Sequence, residues 1–255
     1  MVQFAQSLSG FAVGVIVGLT GVGGGSLMTP ILVLLFGIHP ATAVGTDLLH
    51  AAITKSGGTW VYARRGDVQW RVTALLAAGS LPAAICTLFV LHRFMQPPEN
   101  PRILTTALGL ALLITAFAML WRARLRRLSR VQLDAAPRHP ALTVITGALL
   151  GVLVTLSSVG AGALGIAALL FLYPRLPAVR LVAADLAHAV PLTLVAGVGY
   201  WLFGDVNWTL LGSLLIGSLP GIYLGSRFAG RLPERLLRLL LALTLLLVAG
   251  KLLLY

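Results

Sequence analysis

The stretch Gly21-Val22-Gly23-Gly24-Gly25-Ser26 interrupts an apolar segment that runs from Phe4 to Phe36. Each glycine costs a helix about 1 kcal/mol relative to alanine, so four glycines in five residues predict a break. Irregular backbone at membrane depth is tolerated only where protein buries it or where it lines a cavity. The residues after the break should begin a new half-helix, whose free amides and positive dipole end favour an anion. A packing kink that binds no ligand explains the same glycines equally well.

The composition indicates a polytopic helical membrane protein. The 255 residues are 58% hydrophobic and 10% charged, whereas soluble domains carry about 25% charged residues. Most of the arginines behind the net charge of +12 lie in short loops, where they orient the chain in the bilayer and do not indicate nucleic-acid binding. The apolar N-terminal segment lacks the positive start of a signal peptide. No soluble domain and no cofactor are expected, and the single cysteine, Cys86, is expected in the apolar core.

Eight apolar segments are predicted, two of them broken, and the basic segment 122–140 separates a first half (1–121) from a second half (141–255). The segments are Phe4–Leu19 with Ser26–Phe36 (broken), Ala41–Tyr62, Trp70–Leu91, Ile103–Trp121, Ala141–Leu156 with Ala163–Leu172 (broken), Ala178–Phe203, Trp208–Phe228 and Leu236–Leu254.

The two halves repeat each other. At an offset of 138 residues, Asp47-Leu48-Leu49-His50 matches Asp185-Leu186-Ala187-His188, and Gly79-Ser80-Leu81-Pro82 matches Gly217-Ser218-Leu219-Pro220. The broken segment recurs as Ser157-Ser158-Val159-Gly160-Ala161-Gly162. Paired interruptions in corresponding places indicate a transporter whose binding site lies between the repeats.

Loop charges indicate how the halves are oriented. If every segment crosses the bilayer and the N-terminus is inside, ten Lys and Arg residues lie inside and eight outside. If the second broken segment enters and returns on one side, the count becomes 15 inside and 3 outside. The positive-inside rule favours the second arrangement, in which the repeats are inverted and 122–140 is a cytoplasmic linker. Only symmetry indicates that the first broken segment is also re-entrant, which would give six full crossings and two hairpins.

Five ionisable residues lie well inside predicted spans: Asp47, His50, Lys55, Asp185 and His188. Each costs about 2.5–3.5 kcal/mol on insertion scales, so a functional role is the default expectation. The Asp–His pairs, three residues apart, either lock helices together or carry protons, because imidazole titrates near neutrality. Lys55 corresponds to Thr193 in the second half and needs an anion, which is either a carboxylate of the protein or the substrate.

Soluble-enzyme motifs are absent from the sequence. The glycine run lacks the Gly-Lys-Ser/Thr ending of a phosphate-binding loop, and no His-Glu-x-x-His motif occurs. Two His and two Asp could bind a metal, which keeps open an integral membrane enzyme or an assembly factor. A passive anion channel is the other alternative.

The motif Gly18-x-x-Gly21-x-Gly23-Gly24-Gly25, followed by Pro30 and by Pro40-Ala-Thr-Ala-Val-Gly45-Thr46, resembles the TauE/SafE sulfite exporter family, within the toluene sulfonate uptake permease superfamily. The resemblance covers nearly the whole chain, including the duplication. It implies a bacterial inner-membrane permease for sulfite, sulfonates or related sulfur-containing organic anions, with roles for Gly21–Ser26 and Thr46. Many members carry serine where this chain has Asp47, and the second glycine run is reduced here.

We therefore predict an all-α integral membrane protein of two inverted four-segment repeats that acts as a secondary transporter for a small, sulfur-containing anion. Its partners would be the bilayer, the anion and protons as candidate coupling ion, and the protein would be a monomer or homodimer. The predicted proton-coupling residues are Asp47, His50, Asp185 and His188. The predicted substrate-binding residues are Gly21, Gly23, Gly24, Gly25, Ser26, Thr46, Lys55, Ser158, Gly160 and Gly162.

Overall fold

The computed structural model describes residues 7–15, 25–95, 140–159, 162–227 and 234–254, with positions 106, 109–110, 112–114, 116–117 and 120. The helices, in chain order, are α1 (7–15), α2 (Gly25–Leu34), α3 (Pro40–Arg64), α4 (Trp70–Met95), α5 (Pro140–Ser157), α6 (Ala163–Leu172), α7 (Ala178–Leu202), α8 (Trp208–Arg227) and α9 (Glu234–Leu254). The scattered positions between 106 and 120 are also helical.

The described part of the chain is all-helical and contains no strand. Four of its helices are long and apolar enough to cross a membrane: Trp70–Arg93, Pro140–Ser157, Ala178–Leu202 and Trp208–Gly225. Large apolar side chains cover their outer faces, among them Phe89, Leu149, Ile216 and Leu219. Such faces suit a lipid environment, in agreement with the membrane protein that the composition predicts.

The second predicted interruption is present between α5 and α6. Helix α5 ends at Ser157, Ser158 has a φ of 55°, and Gly162 has a φ of 123° directly before α6 begins. The hydroxyl of Tyr173, just after α6, lies 2.7 Å from that of Thr143, near the start of α5. Because the end of α6 returns to the start of α5, the two helices form an antiparallel hairpin.

Helices α3 and α7, which correspond at the 138-residue offset, pack against each other in opposite directions. Gly45 packs on Tyr200, Gly197 on Leu49, and Gly58 on Leu186, so residue numbers fall along α7 as they rise along α3. The two helices also end alike. After each, a glycine with positive φ, Gly66 at 71° and Gly204 at 84°, closes the last turn, as left-handed glycines commonly do.

Small residues bring helices of different halves into backbone contact. The backbone of Ser80 on α4 lies where a β-carbon of Gly151 on α5 would be, and Leu76 stands in the same relation to Gly147. The first helix, α1, meets α8 in the same way through Gly10 and Gly14. Neighbouring backbones approach this closely only where side chains are missing, so these glycines serve helix packing.

The contacts also fix the relative directions of the helices. Residue numbers rise together across the pairs α4 with α5 and α1 with α8. They also rise together between α4 and α7, where the Thr73 hydroxyl donates to the Ala184 carbonyl and Leu88 packs on Gly199. Residue numbers also rise together between α3 and α8, because Thr46 contacts Asn207 just before α8 and His50 contacts Ser218. Helices α4, α5 and α7 therefore run one way, while α1, α3 and α8 run the other. Since α5 and α7 begin at the same face, α6 and the loop after it return the chain to that face.

The predicted core position of Cys86 is wrong, because its side chain is exposed on α4 beside the exposed Ile85. In a membrane helix an apolar run does not distinguish the protein core from the lipid-facing surface. By contrast, Trp60, Trp70, Trp201 and Trp208 are all exposed near helix ends, as expected of residues at the membrane interface.

We expect Gly151→Ala to lower the stability of the protein by about 1–3 kcal/mol, because its β-carbon would collide with the backbone of Ser80. Gly212→Ala is the matched control, since no atom lies within contact distance of the added methyl group on α8. The control should keep or slightly raise the melting temperature. Thermal unfolding of the purified variants in detergent measures both effects, and a wild-type melting temperature for Gly151→Ala would contradict the close packing of α4 and α5.

Candidate functional site

The five predicted ionisable residues come together at the interface between α3 and α7. These residues are at most 4% exposed, although each carries a group that water would solvate strongly. The list is Asp47, His50 and Lys55 from α3 with Asp185 and His188 from α7. Burial at this cost requires compensating partners, and those partners define the candidate site.

Asp47 is held by the first broken segment. Its Oδ2 atom accepts hydrogen bonds from the backbone N–H of Thr29, at 3.2 Å, and from the Thr29 hydroxyl, at 2.6 Å. Its Oδ1 atom lies 3.8 Å from Nδ1 of His50. This separation confirms that the i, i+3 spacing brings the predicted pair together. Thr29 was not predicted, and its only signal was a polar residue directly before Pro30 in an apolar half-helix.

Each histidine contacts a serine of the other half. His50 Nε2 lies 2.8 Å from Ser218 Oγ, and His188 Nε2 lies 2.8 Å from Ser80 Oγ. Both serines belong to the repeated Gly-Ser-Leu-Pro motif. The repetition of that motif was visible in the sequence, but nothing there indicated that the serines meet the histidines. These reciprocal hydrogen bonds tie α3 to α8 and α7 to α4.

Lys55 lies between the two aspartates. Because Gly58 faces Leu186 and Leu49 faces Gly197, Lys55 is level with about residue 190 of α7. Asp185 is then about 7–8 Å away along the helix axis and Asp47 about 12 Å. Both carboxylates interact electrostatically with the ammonium group, and Asp185 does so more strongly. The same register places Asp47, His50, Lys55, His188 and Asp185 in this order along about 20 Å of the interface.

The second broken segment borders the cluster at two points. The Ser158 side chain is buried, and its hydroxyl lies close enough to the Asp47 carboxylate to interact with it, although the contact falls short of a well-formed hydrogen bond. On α6, Gly165 packs directly on the carboxylate of Asp185, where a β-carbon would collide with it. Gly165 was not predicted. Its position shows that only a glycine lets this carboxylate approach the first turn of α6.

The remaining predicted residues divide into three groups. Gly25 and Ser26 are the first residues of α2, and Gly162 directly precedes α6. Thr46 points elsewhere, since its hydroxyl accepts a hydrogen bond from the backbone N–H of Asn207 in the loop before α8. Gly21, Gly23, Gly24 and Gly160 lie outside the described residues.

The loop that Thr46 contacts carries another carboxyl group, Asp205. Partial burial raises the pKa of Asp205, and the nearby His39 opposes that rise. The equivalent loop residue of the first half, Asp67, follows Gly66. Within the described ranges, no three His, Cys, Asp or Glu side chains are grouped closely enough to share a metal ion.

Known proteins similar to this chain are membrane transporters by name. The sequence model described as "Sulfite exporter TauE/SafE" matches residues 7–252. The probable membrane transporter protein YjnA of Bacillus subtilis is 38% identical over 95% of this chain and 96% of its own length. YdhB of the same organism is 28% identical over 96% and 97%. MJ0441 of Methanocaldococcus jannaschii, also named a probable membrane transporter protein, is 26% identical over 91% and 88%.

No solved structure matches the chain. The family match spans almost every described helix, including both regions that border the buried cluster, and the first of these relatives covers nearly the whole sequence at well over 30% identity. The chain is therefore a member of the TauE/SafE sulfite exporter family of membrane transporters.

Proposed function

We propose that this chain is a secondary transporter, not an enzyme, that carries a small sulfur-containing anion such as sulfite or a sulfonate across the bacterial inner membrane, with protons as the coupling ion. The main support for this proposal is a row of buried ionisable residues beside the broken segments: Asp47, His50, Lys55, His188 and Asp185. Membership of the TauE/SafE sulfite exporter family is the reason to propose this class of substrate. The buried ionisable side chains are the reason to propose that transport is coupled to protons.

The proposed architecture is a pair of inverted four-segment repeats, 1–121 and 141–255, joined by the cytoplasmic linker 122–140. The antiparallel packing of the corresponding helices α3 and α7 supports this arrangement. The hairpin of α5 and α6 supports a re-entrant second broken segment, and the common direction of α1 and α3 supports the same for the first. With six full crossings, loop charges place the starts of α4, α5 and α7 in the cytoplasm.

In this architecture the two broken segments present half-helix N-termini to a central site, where free amides favour an anion. Gly21, Gly23, Gly24, Gly25 and Ser26 would contribute from one side. Ser158, Gly160 and Gly162 would contribute from the other, and Thr46 adjoins Asp47 on α3. Lys55 would balance the charge of the substrate, and the two Asp–His pairs contain the candidate proton carriers.

The proposed activity can be tested with purified protein in proteoliposomes. Sulfite or methanesulfonate should cross the membrane, and an imposed proton gradient should drive the movement. Lys55→Met should reduce this flux at least tenfold, whereas Lys251→Met, the same substitution at an exposed position of α9, should not. A flux that ignores the proton gradient would indicate a channel, and the absence of any anion flux would contradict the proposal.

The proposed topology predicts which positions are accessible from outside the cell. In a Cys86→Ala background, a membrane-impermeant thiol reagent should label His39→Cys in intact cells, because the start of α3 is external. Arg64→Cys and Arg180→Cys should be labelled only after the membrane is opened, since the end of α3 and the start of α7 are internal. All three positions are exposed in the structure. External labelling at position 180 would contradict the inverted arrangement.

The electrostatic role of Lys55 predicts a stability effect. Lys55→Met should lower the stability of the ligand-free protein by about 3–5 kcal/mol, because it leaves the buried Asp185 carboxylate without its ammonium partner. The double variant Lys55→Met/Asp185→Asn should recover most of the loss. Melting curves in detergent measure both changes, with Lys251→Met as the control. An unchanged melting temperature for Lys55→Met would contradict the pairing of Lys55 with Asp185 and would indicate that the substrate anion is the partner of this lysine.

A further inference from the structure

The Asp47 carboxylate already accepts hydrogen bonds from donors of the kind that would hold a bound anion. The backbone N–H and the hydroxyl of Thr29 both point at its Oδ2 atom, from the first half of the ten-residue helix α2. A carboxylate that accepts two such hydrogen bonds is held as an oxyanion would be held. Whenever the Asp47 side chain is ionised, it therefore acts as an anion bound at the broken segment.

Further polar groups around Asp47 have no described hydrogen-bond partner. The Ser158 hydroxyl faces the Asp47 carboxylate without a well-formed hydrogen bond to it, although the residue is only 1% exposed. Nδ1 of His50 and Oδ1 of Asp47 itself are also buried without one. Buried polar groups are nearly always satisfied in folded proteins. A bound anion would accept a hydrogen bond from the Ser158 hydroxyl, and a proton would satisfy Oδ1 of Asp47, which lies 3.8 Å from Nδ1 of His50.

The charges at the interface determine what a second anion would cost. With both histidines neutral, Asp47, Asp185 and Lys55 together carry one net negative charge. Adding a monovalent anion would leave two net negative charges in a buried site, which is strongly unfavourable. Adding the anion together with one proton on Asp47 leaves the net charge unchanged, and the neutral carboxyl group releases the Thr29 donors.

We propose that Thr29 and Ser158 form the anion-binding position and that Asp47 occupies it until a proton neutralises its carboxylate. The substrate anion then accepts the hydrogen bonds from Thr29 and Ser158 while the proton resides on an oxygen of Asp47. Each monovalent anion consequently binds together with one proton from the same aqueous side. This inference rests on the proposed anion transport and specifies how protons are coupled to it.

The other ionisable groups around Asp47 are few. On its own helix, His50 lies 3.8 Å away and Lys55 interacts with it electrostatically. From α7, Asp185 and His188 both interact with Lys55. Helices α2 and α5 contain no ionisable residue, and α8 contains only Arg227 and the exposed Tyr223, both toward its far end. Asp185 is engaged by Lys55 and Gly165, which leaves Asp47 as the carboxylate that exchanges its proton.

Calorimetric titration of purified protein in buffers of different ionisation enthalpy counts the protons taken up. The probes are methanesulfonate, which stays ionised throughout, and sulfite. Asp47→Asn should bind the anion at least as tightly as the wild type while taking up about one proton fewer. Asp185→Asn, the equivalent change in the other half, should keep the proton uptake. The wild-type affinity for methanesulfonate should rise about tenfold for each pH unit that the pH falls, in the range where Asp47 is ionised.

The Thr29 donors are tested in the Asp47→Asn background. Adding Thr29→Val should weaken anion binding about tenfold to a hundredfold, as expected for a lost hydrogen bond to a charge. Thr87→Val, whose hydroxyl only bonds to its own helix α4, should leave binding unchanged.

The possible failures are distinguishable. If neither anion binds the wild type, the proposed transport function fails and this inference fails with it. If an anion binds but the wild type and Asp47→Asn take up the same number of protons, only this inference is overturned. If Asp185→Asn, and not Asp47→Asn, takes up one proton fewer than the wild type, this inference is overturned as well. Should Asp47→Asn fail to fold, a wild-type affinity for methanesulfonate that does not change with pH overturns the inference on its own.

Discussion

The buried ammonium group of Lys55 is the constraint on which the centre of this protein depends. Removing such a charge from water costs several kcal/mol, which only nearby carboxylates repay. Asp185 comes from the opposite helix, so α3 and α7 must lie close together and in a fixed register. Gly45, Gly58 and Gly197 permit that approach, because each stands where a larger side chain would hold the helices apart. The charge and the glycines therefore specify the same interface.

The broken segments supply what the straight helices cannot. A continuous helix uses its own backbone amides, so it has none to offer to a carboxylate or a substrate at membrane depth. Ser158 adopts a left-handed conformation, with a φ of 55°, that costs a residue other than glycine about 1–3 kcal/mol. Such strain persists only where the surrounding structure enforces it. Here it places the Ser158 hydroxyl beside the carboxylate of Asp47.

Much of this arrangement is predictable from the sequence, because glycine runs, apolar lengths and the 138-residue offset have direct physical consequences. The break between Ser157 and Ala163 and the pairing of Asp47 with His50 follow from spacing alone. The lipid-facing position of Cys86 does not, since core and lipid are equally apolar. The partners Thr29, Ser80 and Ser218 escape prediction for another reason. Hydroxyl groups in membrane helices usually bond to their own backbone, and only the three-dimensional packing shows which ones do not.

The difference between the two halves at one position has a physical cause of its own. The counterpart of Lys55 is Thr193, whose hydroxyl donates to the carbonyl of Ala189 in its own helix. Thr193 lies level with about residue 52 of α3, within about 5 Å of Lys55 along the interface. A second lysine there would place two ammonium groups side by side in a buried site and would interact with Asp47 as Lys55 interacts electrostatically with Asp185. With threonine instead, Asp47 keeps Thr29 as its hydrogen-bonding partner, and one carboxylate of the pair stays able to exchange its proton.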